Sequence, residues 1–213
     1  MQPAGFGPPG AVFGPRLWHN RAVVPNSTTT SSHSRDPAWR PAATFNSGRL
    51  AAPIRRWLLD EGSLTAHLIR ASGGDFRVQR LRQGWQCPLR SESRSLELPP
   101  RQQALIREVA LVCEGDAWVF ARSVIPASTL TGSLRHLRQL HNESLGALIF
   151  QDTSLVRSTF ELALIAGDAT YIDARYHQQK PAWGRRSRFE VQGKPLLVSE
   201  VFLQPFRAWP AKR

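Results

Sequence analysis

Cysteine, methionine and tyrosine are scarce: the 213 residues include two Cys, one Met and two Tyr. Cys87 and Cys113 stand far apart with no Cys-x-x-Cys between them. That excludes a disulfide-stapled scaffold and the common zinc ribbons, and it fits reduced thiols in a cytoplasmic protein. No apolar run approaches the roughly 20 residues of a membrane-crossing helix. No basic start leads into an apolar core segment, so a secretory leader is not expected either. Gly-x-Gly-x-x-Gly, the Walker loop, Gly-x-Ser-x-Gly and His-Glu-x-x-His are all missing, which removes the dinucleotide-binding, P-loop, serine-hydrolase and zincin readings. His136 and His141 fall on different faces of a helix and no third ligand is near in sequence. No metal site is therefore expected.

Acidic residues are outnumbered, 16 Asp and Glu against 28 Lys and Arg, for a net charge of +12. Lysine supplies only Lys180, Lys194 and Lys212, and arginine is spread along the chain. A nucleic-acid footprint would be clustered, so no nucleic-acid partner is expected. A basic, soluble surface that draws small anions accounts for the charge. No heptad or broad apolar stripe is visible, and a monomer is the expected state.

Residues 1–50 differ in kind from the rest of the chain. Seven prolines, from Pro3 to Pro41, and the run Ser27 to Ser32 leave no apolar period that could bury a face, so this part reads as a disordered tail. Its Arg- and Ser-rich, acid-poor composition also resembles an organelle transit peptide, although no amphipathic helix is evident. The folded domain is expected over 51–207, with a short tail at 208–213.

Within that domain Pro53 can open a helix carrying Ile54, Trp57 and Leu58, and Ser63 can cap a second with Leu64, His67 and Leu68, joined at Gly62. Phe76 to Trp85 reads as extended. Leu105–Cys113 and Ala117–Ile125 form one hairpin around Glu114-Gly115-Asp116; Arg186–Val191 and Leu196–Leu203 form another around Gln192-Gly193-Lys194. Between them, leucines over 132–149 predict one or two short helices, 155–165 a strand, and 168–181 a polar insert. Strands paired through local turns, with helices set between them, predict an α+β fold with an antiparallel sheet.

Two charges fall where their neighbours are apolar. Arg107 shares a strand face with Val109, Leu111 and Cys113, and Glu200 with Leu196, Val198 and Phe202. A charge on such a face must be paired, neutralised or used. Either the two form a buried ion pair, perhaps with each other, or they stand at two ends of an anion-holding cavity.

The string Trp183-Gly184-Arg185-Arg186-Ser187-Arg188, followed by Gly193-Lys194-Pro195-Leu196-Leu197-Val198-Ser199-Glu200, closely resembles the C-terminal signature of the chorismate pyruvate-lyase family. Trp57-Leu58-Leu59, Ile106-Arg107-Glu108-Val109, Ala121-Arg122-Ser123-Val124-Ile125-Pro126 and Leu145-Gly146 occur in the family's order, so the resemblance spans about 53–205. It implies removal of the enolpyruvyl side chain of chorismate to give 4-hydroxybenzoate and pyruvate, the first committed step of ubiquinone biosynthesis, without a cofactor. It also implies a sheet of about six strands with helical flaps over an internal cavity, and ligand contacts at Leu64, Arg107, Leu145 and Glu200. Arg107 would bind the anionic substrate and Glu200 would act as general acid. The same fold resembles the effector domains of bacterial transcription regulators, so a non-catalytic small-molecule sensor is the rival reading. Leu64 stands where the family commonly has Met, and the insert near 168–181 lengthens a connection that is shorter in other members.

Overall fold

The computed structural model describes residues 36–45 and 50–207. Strand β1 is Arg40–Pro41; helices α1 and α2 are Ala52–Leu58 and Leu64–Ala71; β2 is Phe76–Gln86; α3 is Arg90–Ser95. Strands β3 and β4, Ala104–Cys113 and Asp116–Pro126, form the first predicted hairpin. A 3-10 turn over Gly132–Gln139 and helix α4, Leu145–Ile149, are the two short helical segments that the leucine spacing predicts. Strands β5 (Val156–Arg157) and β6 (Glu161–Ile165) divide the single strand expected over 155–165, and β7 (Ala182–Val191) and β8 (Lys194–Phe202) complete the sheet.

All pairings are antiparallel, in the order β1-β6-β7-β8-β4-β3-β2, with β5 beside β7. The fold is α+β, its six longer strands extended by the two-residue β1 and β5. Both long hairpins turn where left-handed backbone is available: Glu114-Gly115 and Gln192-Gly193 each have positive φ at both positions, the geometry that matches strand twist in two-residue turns.

Residues 36–45 and Leu50 fall within the stretch read as a disordered tail, yet they belong to this unit. Arg40 and Pro41 pair with β6, the Trp39 ring stands edge-on to Tyr171, and Leu50 is buried. Their apolar contacts are single residues without a period, so pattern reading passes over them. Residues 1–35, 46–49 and 208–213, the rest of the two predicted tails, lie outside the described residues.

The sheet has two covered faces. On one, Trp57, Leu58, Leu64 and Leu68 of the first helical pair pack on Val78, Val109 and Leu111. Beside them Leu134, Leu137, Leu145 and Ile149 of the second helical segment pack on Leu105, Ile125 and Phe189. On the other face the insert is more than a polar connection: its Ala169, Tyr171 and Ile172 are buried against Phe120, Ile165 and Val201. Gly167 and Gln178 close it with a backbone hydrogen bond of 3.0 Å.

Candidate active site

Side chains alternate along strands, so the register of the central strands decides what meets under the helices. Arg107 on β3 stands opposite Ser123 on β4, and Ala121 on β4 stands opposite Glu200 on β8. Arg107 and Glu200 are therefore two strands apart and offset by two residues, roughly 12 Å between their Cα atoms at ordinary strand spacings. Between them β4 presents only Ala121 and Ser123. Two short side chains on the central strand leave a void that larger residues would fill.

Two helical segments cover it. Ser63 caps α2, its Oγ accepting from the Ala66 amide at 3.4 Å, and Ser144 caps α4 by accepting from the Ala147 amide at 3.1 Å. Leu64 and Leu145 are thus the first residues of their helices, and the opening amides of both helices lie outside the intrahelical ladder. The Thr65 and Ser144 hydroxyls meet at 2.7 Å and join the segments. Gly62 makes the tight junction between α1 and α2, where a Cβ would press on the ends of the His67 and Asp60 side chains.

The resulting cavity, about 540 Å3 counting its open mouth, is lined by all four sequence-predicted residues: Leu64, Arg107, Leu145 and Glu200. Arg107 and Glu200 do not pair with each other. Glu200 Oε2 accepts from Arg185 Nε at 2.6 Å, and Arg185 Nη1 donates to the carbonyls of Trp57 and Asp60 at 2.6 and 2.8 Å. Glu200 is thus half of an ion pair, as one of the two sequence readings allowed, with Arg185 and not Arg107 as its partner.

Arg107 is 2% exposed and, among the described residues, has no acidic side chain in contact. Its Nη2 donates to the carbonyls of His141 and Glu143 at 3.1 and 2.7 Å, and its Nε has no partner. Burial, with Arg80 adding to it and Glu143 opposing it, pushes its pKa down to about 10. On the opposite sheet face Arg122 shows the contrast. It is also buried, but Glu92 takes its Nε and Nη2 at 2.7 and 3.1 Å, and Glu108 takes Nη1 at 2.5 Å. Burial works against that charge, and the bonds to Glu92 outweigh it. Arg122 is a satisfied structural guanidinium, and Arg107 keeps donor capacity in reserve.

Two charged lining residues were missed by sequence reasoning. Arg185 lay within the recognised string, and the predicted turn at Gln192-Gly193 fixes a register that sets it opposite Glu200; counting back along the hairpin would have found it. Arg157 on β5 left no such signal, because β5 is two residues long, too short to show alternation. Among the described residues no group of three His, Cys, Asp or Glu comes together as a metal site would need.

The sequence profile of the chorismate lyase family matches residues 34–211. The chain belongs to the chorismate lyase family. A probable chorismate pyruvate-lyase from Halorhodospira halophila is 41% identical over 169 residues, covering 78% of this chain and 89% of that protein. Another from Methylococcus capsulatus is 42% identical over 153 residues, covering 70% and 94%. Among solved structures, the effector domain of PhnF from Mycobacterium smegmatis aligns with 71% of this chain and 96% of its own at 18% identity, with a TM-score of 0.47. In this chorismate lyase family member no helix among the described residues is long and apolar enough to cross a membrane.

Proposed function

We propose that this protein is a chorismate pyruvate-lyase that forms 4-hydroxybenzoate for ubiquinone biosynthesis, acting as a cytoplasmic monomer without a cofactor. The observation that carries this reading is the meeting of an under-partnered Arg107 and an ion-paired Glu200 across one small covered cavity.

Chorismate carries a ring carboxylate and a second carboxylate on its enolpyruvyl ether. Arg107 sits close to the start of α4, so its spare donors and the opening amides of α2 and α4, at Leu64 and Leu145, take the ring carboxylate together. Glu200 then lies toward the oxygen-bearing edge of the ring. The ring carbon that bears the hydroxyl loses its proton to the Glu200 carboxylate, and the ether C–O bond breaks with its electron pair leaving on enolpyruvate. The ring becomes aromatic. Glu200 returns the proton to the departing enolpyruvate, which ends as pyruvate. Because aromatisation drives the reaction, the chain needs only to orient the ring, move one proton and stabilise developing charge.

The test is direct. Purified protein mixed with chorismate should generate the absorbance of 4-hydroxybenzoate and an equal amount of pyruvate. Binding of chorismate without conversion would replace this reading with that of a sensor.

A further inference from the structure

The cavity holds more positive charge than one carboxylate requires. Its charged lining residues are Arg107, Arg157, Arg185 and Glu200. Arg185 and Glu200 balance each other at 2.6 Å, which leaves two guanidiniums for a ligand. Arg157 resembles Arg107 in having only neutral partners among the described residues. Its Nε donates to Ser187 Oγ at 3.2 Å and its Nη1 to the Glu61 carbonyl at 3.1 Å.

The placement of Arg157 is defined by aromatic rings. Its guanidinium carbon lies 4.0 Å from the centre of the Phe160 ring and 4.9 Å from that of Phe189, while that of Arg185 lies 5.0 Å from Phe160. Arg157 and Arg185 thus share one ring, which puts Arg157 on the Glu200 side of the cavity. Arg107 stands on β3, beyond β8 and β4 in the sheet order. Burial, reinforced by Arg185 and opposed by Glu200, Glu61 and Asp60, pushes the pKa of Arg157 down to about 10. It remains charged at neutral pH but is poorly compensated, a condition that an arriving anion relieves.

Resting on the chorismate reading, we infer that Arg157 binds the carboxylate of the enolpyruvyl side chain and so distinguishes the dianionic substrate from the monoanionic aromatic product. Arg107 and Arg157 then hold the two carboxylates of one molecule from opposite sides of the floor, with Glu200 at the bond that breaks. Once the ether is cleaved, 4-hydroxybenzoate keeps its contact to Arg107 and has none to Arg157. Pyruvate carries the second carboxylate away. Arg157 is a substrate-selecting residue, and its removal should change affinity for substrate and product unequally.

The experiment compares Arg157→Gln with wild type for chorismate KM and kcat and for the Kd of 4-hydroxybenzoate. Loss of a charged hydrogen-bond pair predicts a rise of about tenfold or more in KM, with 4-hydroxybenzoate binding changed less than about twofold because that ligand carries no second carboxylate. Arg157→Lys, which keeps the cation and loses the planar fork, should recover part of the KM and leave product binding alone. A purely structural role, tying β5 to the α1–α2 turn, would weaken both ligands together and would lower the thermal midpoint in step; that result, or an unchanged KM, overturns the inference. If Arg157→Gln does not fold, the same split read at smaller scale in Arg157→Lys decides the matter. If wild type fails to convert chorismate, the lyase reading falls. Equilibrium binding of intact chorismate then takes the place of KM, and the inference fails if chorismate and 4-hydroxybenzoate are weakened equally.

Discussion

Replacing Glu200 by Gln keeps the shape of the side chain and removes both its charge and its ability to take a proton. The two losses have separate readouts. In the folded protein Arg185 is 1% exposed. It loses its acidic partner while retaining the Trp57 and Asp60 carbonyls at 2.6 and 2.8 Å. Removing one side of a buried pair costs about 3–5 kcal/mol; the retained carbonyls and the amide oxygen of the new residue place this case near about 3 kcal/mol. For a chain of this size that lowers the thermal midpoint by about 6–12 °C. Turnover should fall by about 10² to 10⁴, the usual contribution of a positioned acid or base. The assay is chorismate conversion under single-turnover conditions, with unfolding monitored in parallel. Combining Glu200→Gln with Arg185→Met removes both charges and should restore much of the lost stability without restoring activity, because the two sites are coupled. Near-wild-type conversion by Glu200→Gln would remove that residue from the chemistry. An unchanged midpoint would show that the two carbonyls alone satisfy Arg185.

Ala121 forms part of the cavity floor, so Ala121→Leu should block 4-hydroxybenzoate binding, raising its Kd more than about tenfold while the protein stays folded; calorimetric titration reads it, and undiminished binding would show that the ligand sits elsewhere. Cys87 is exposed and Cys113 buried, and burial pushes the Cys113 thiol up to about 11. A disulfide reagent at pH 8 should therefore titrate one thiol in the native protein and two in denaturant, and rapid reaction of both in the native state would contradict the packing of β3. A Cβ on Gly167 would run into the backbone carbonyls of Gln178 and Lys180, so Gly167→Ala should cost about 1–3 kcal/mol as an overpacking change, measured by denaturant unfolding. Wild-type stability would show that the insert closes differently.

The long hairpins were legible because their turns carry Gly at a left-handed position and their arms are apolar enough to be buried; β3 and β4 match the expected ranges within two residues at each end. Arg107 and Glu200 were legible for the same reason, as charges on apolar faces. Helix α3, Arg90–Ser95, was missed because it contains no apolar residue. What it buries is Glu92, wholly enclosed by its bonds to Arg122, and a hydropathy period cannot register an ion pair. The partner of Glu200 was missed for a related reason: alternation says which face a residue occupies, and only register says whom it meets. Arg157 lies on a strand too short to show alternation, and its environment comes from Phe160, in the approach to β6, and Phe189, on β7.

The hydroxyl contact between Thr65 and Ser144 has a kinetic corollary. A net hydrogen bond of this type is worth about 0.5–1.5 kcal/mol, so it fastens the roof like a latch that thermal motion can lift. Chorismate could thus be admitted without unfolding either helix, and the latch would close again over a reacting ring. The residence time of any occupant would then be set by how firmly the chamber grips it, with two weak alcohols at the door adding little.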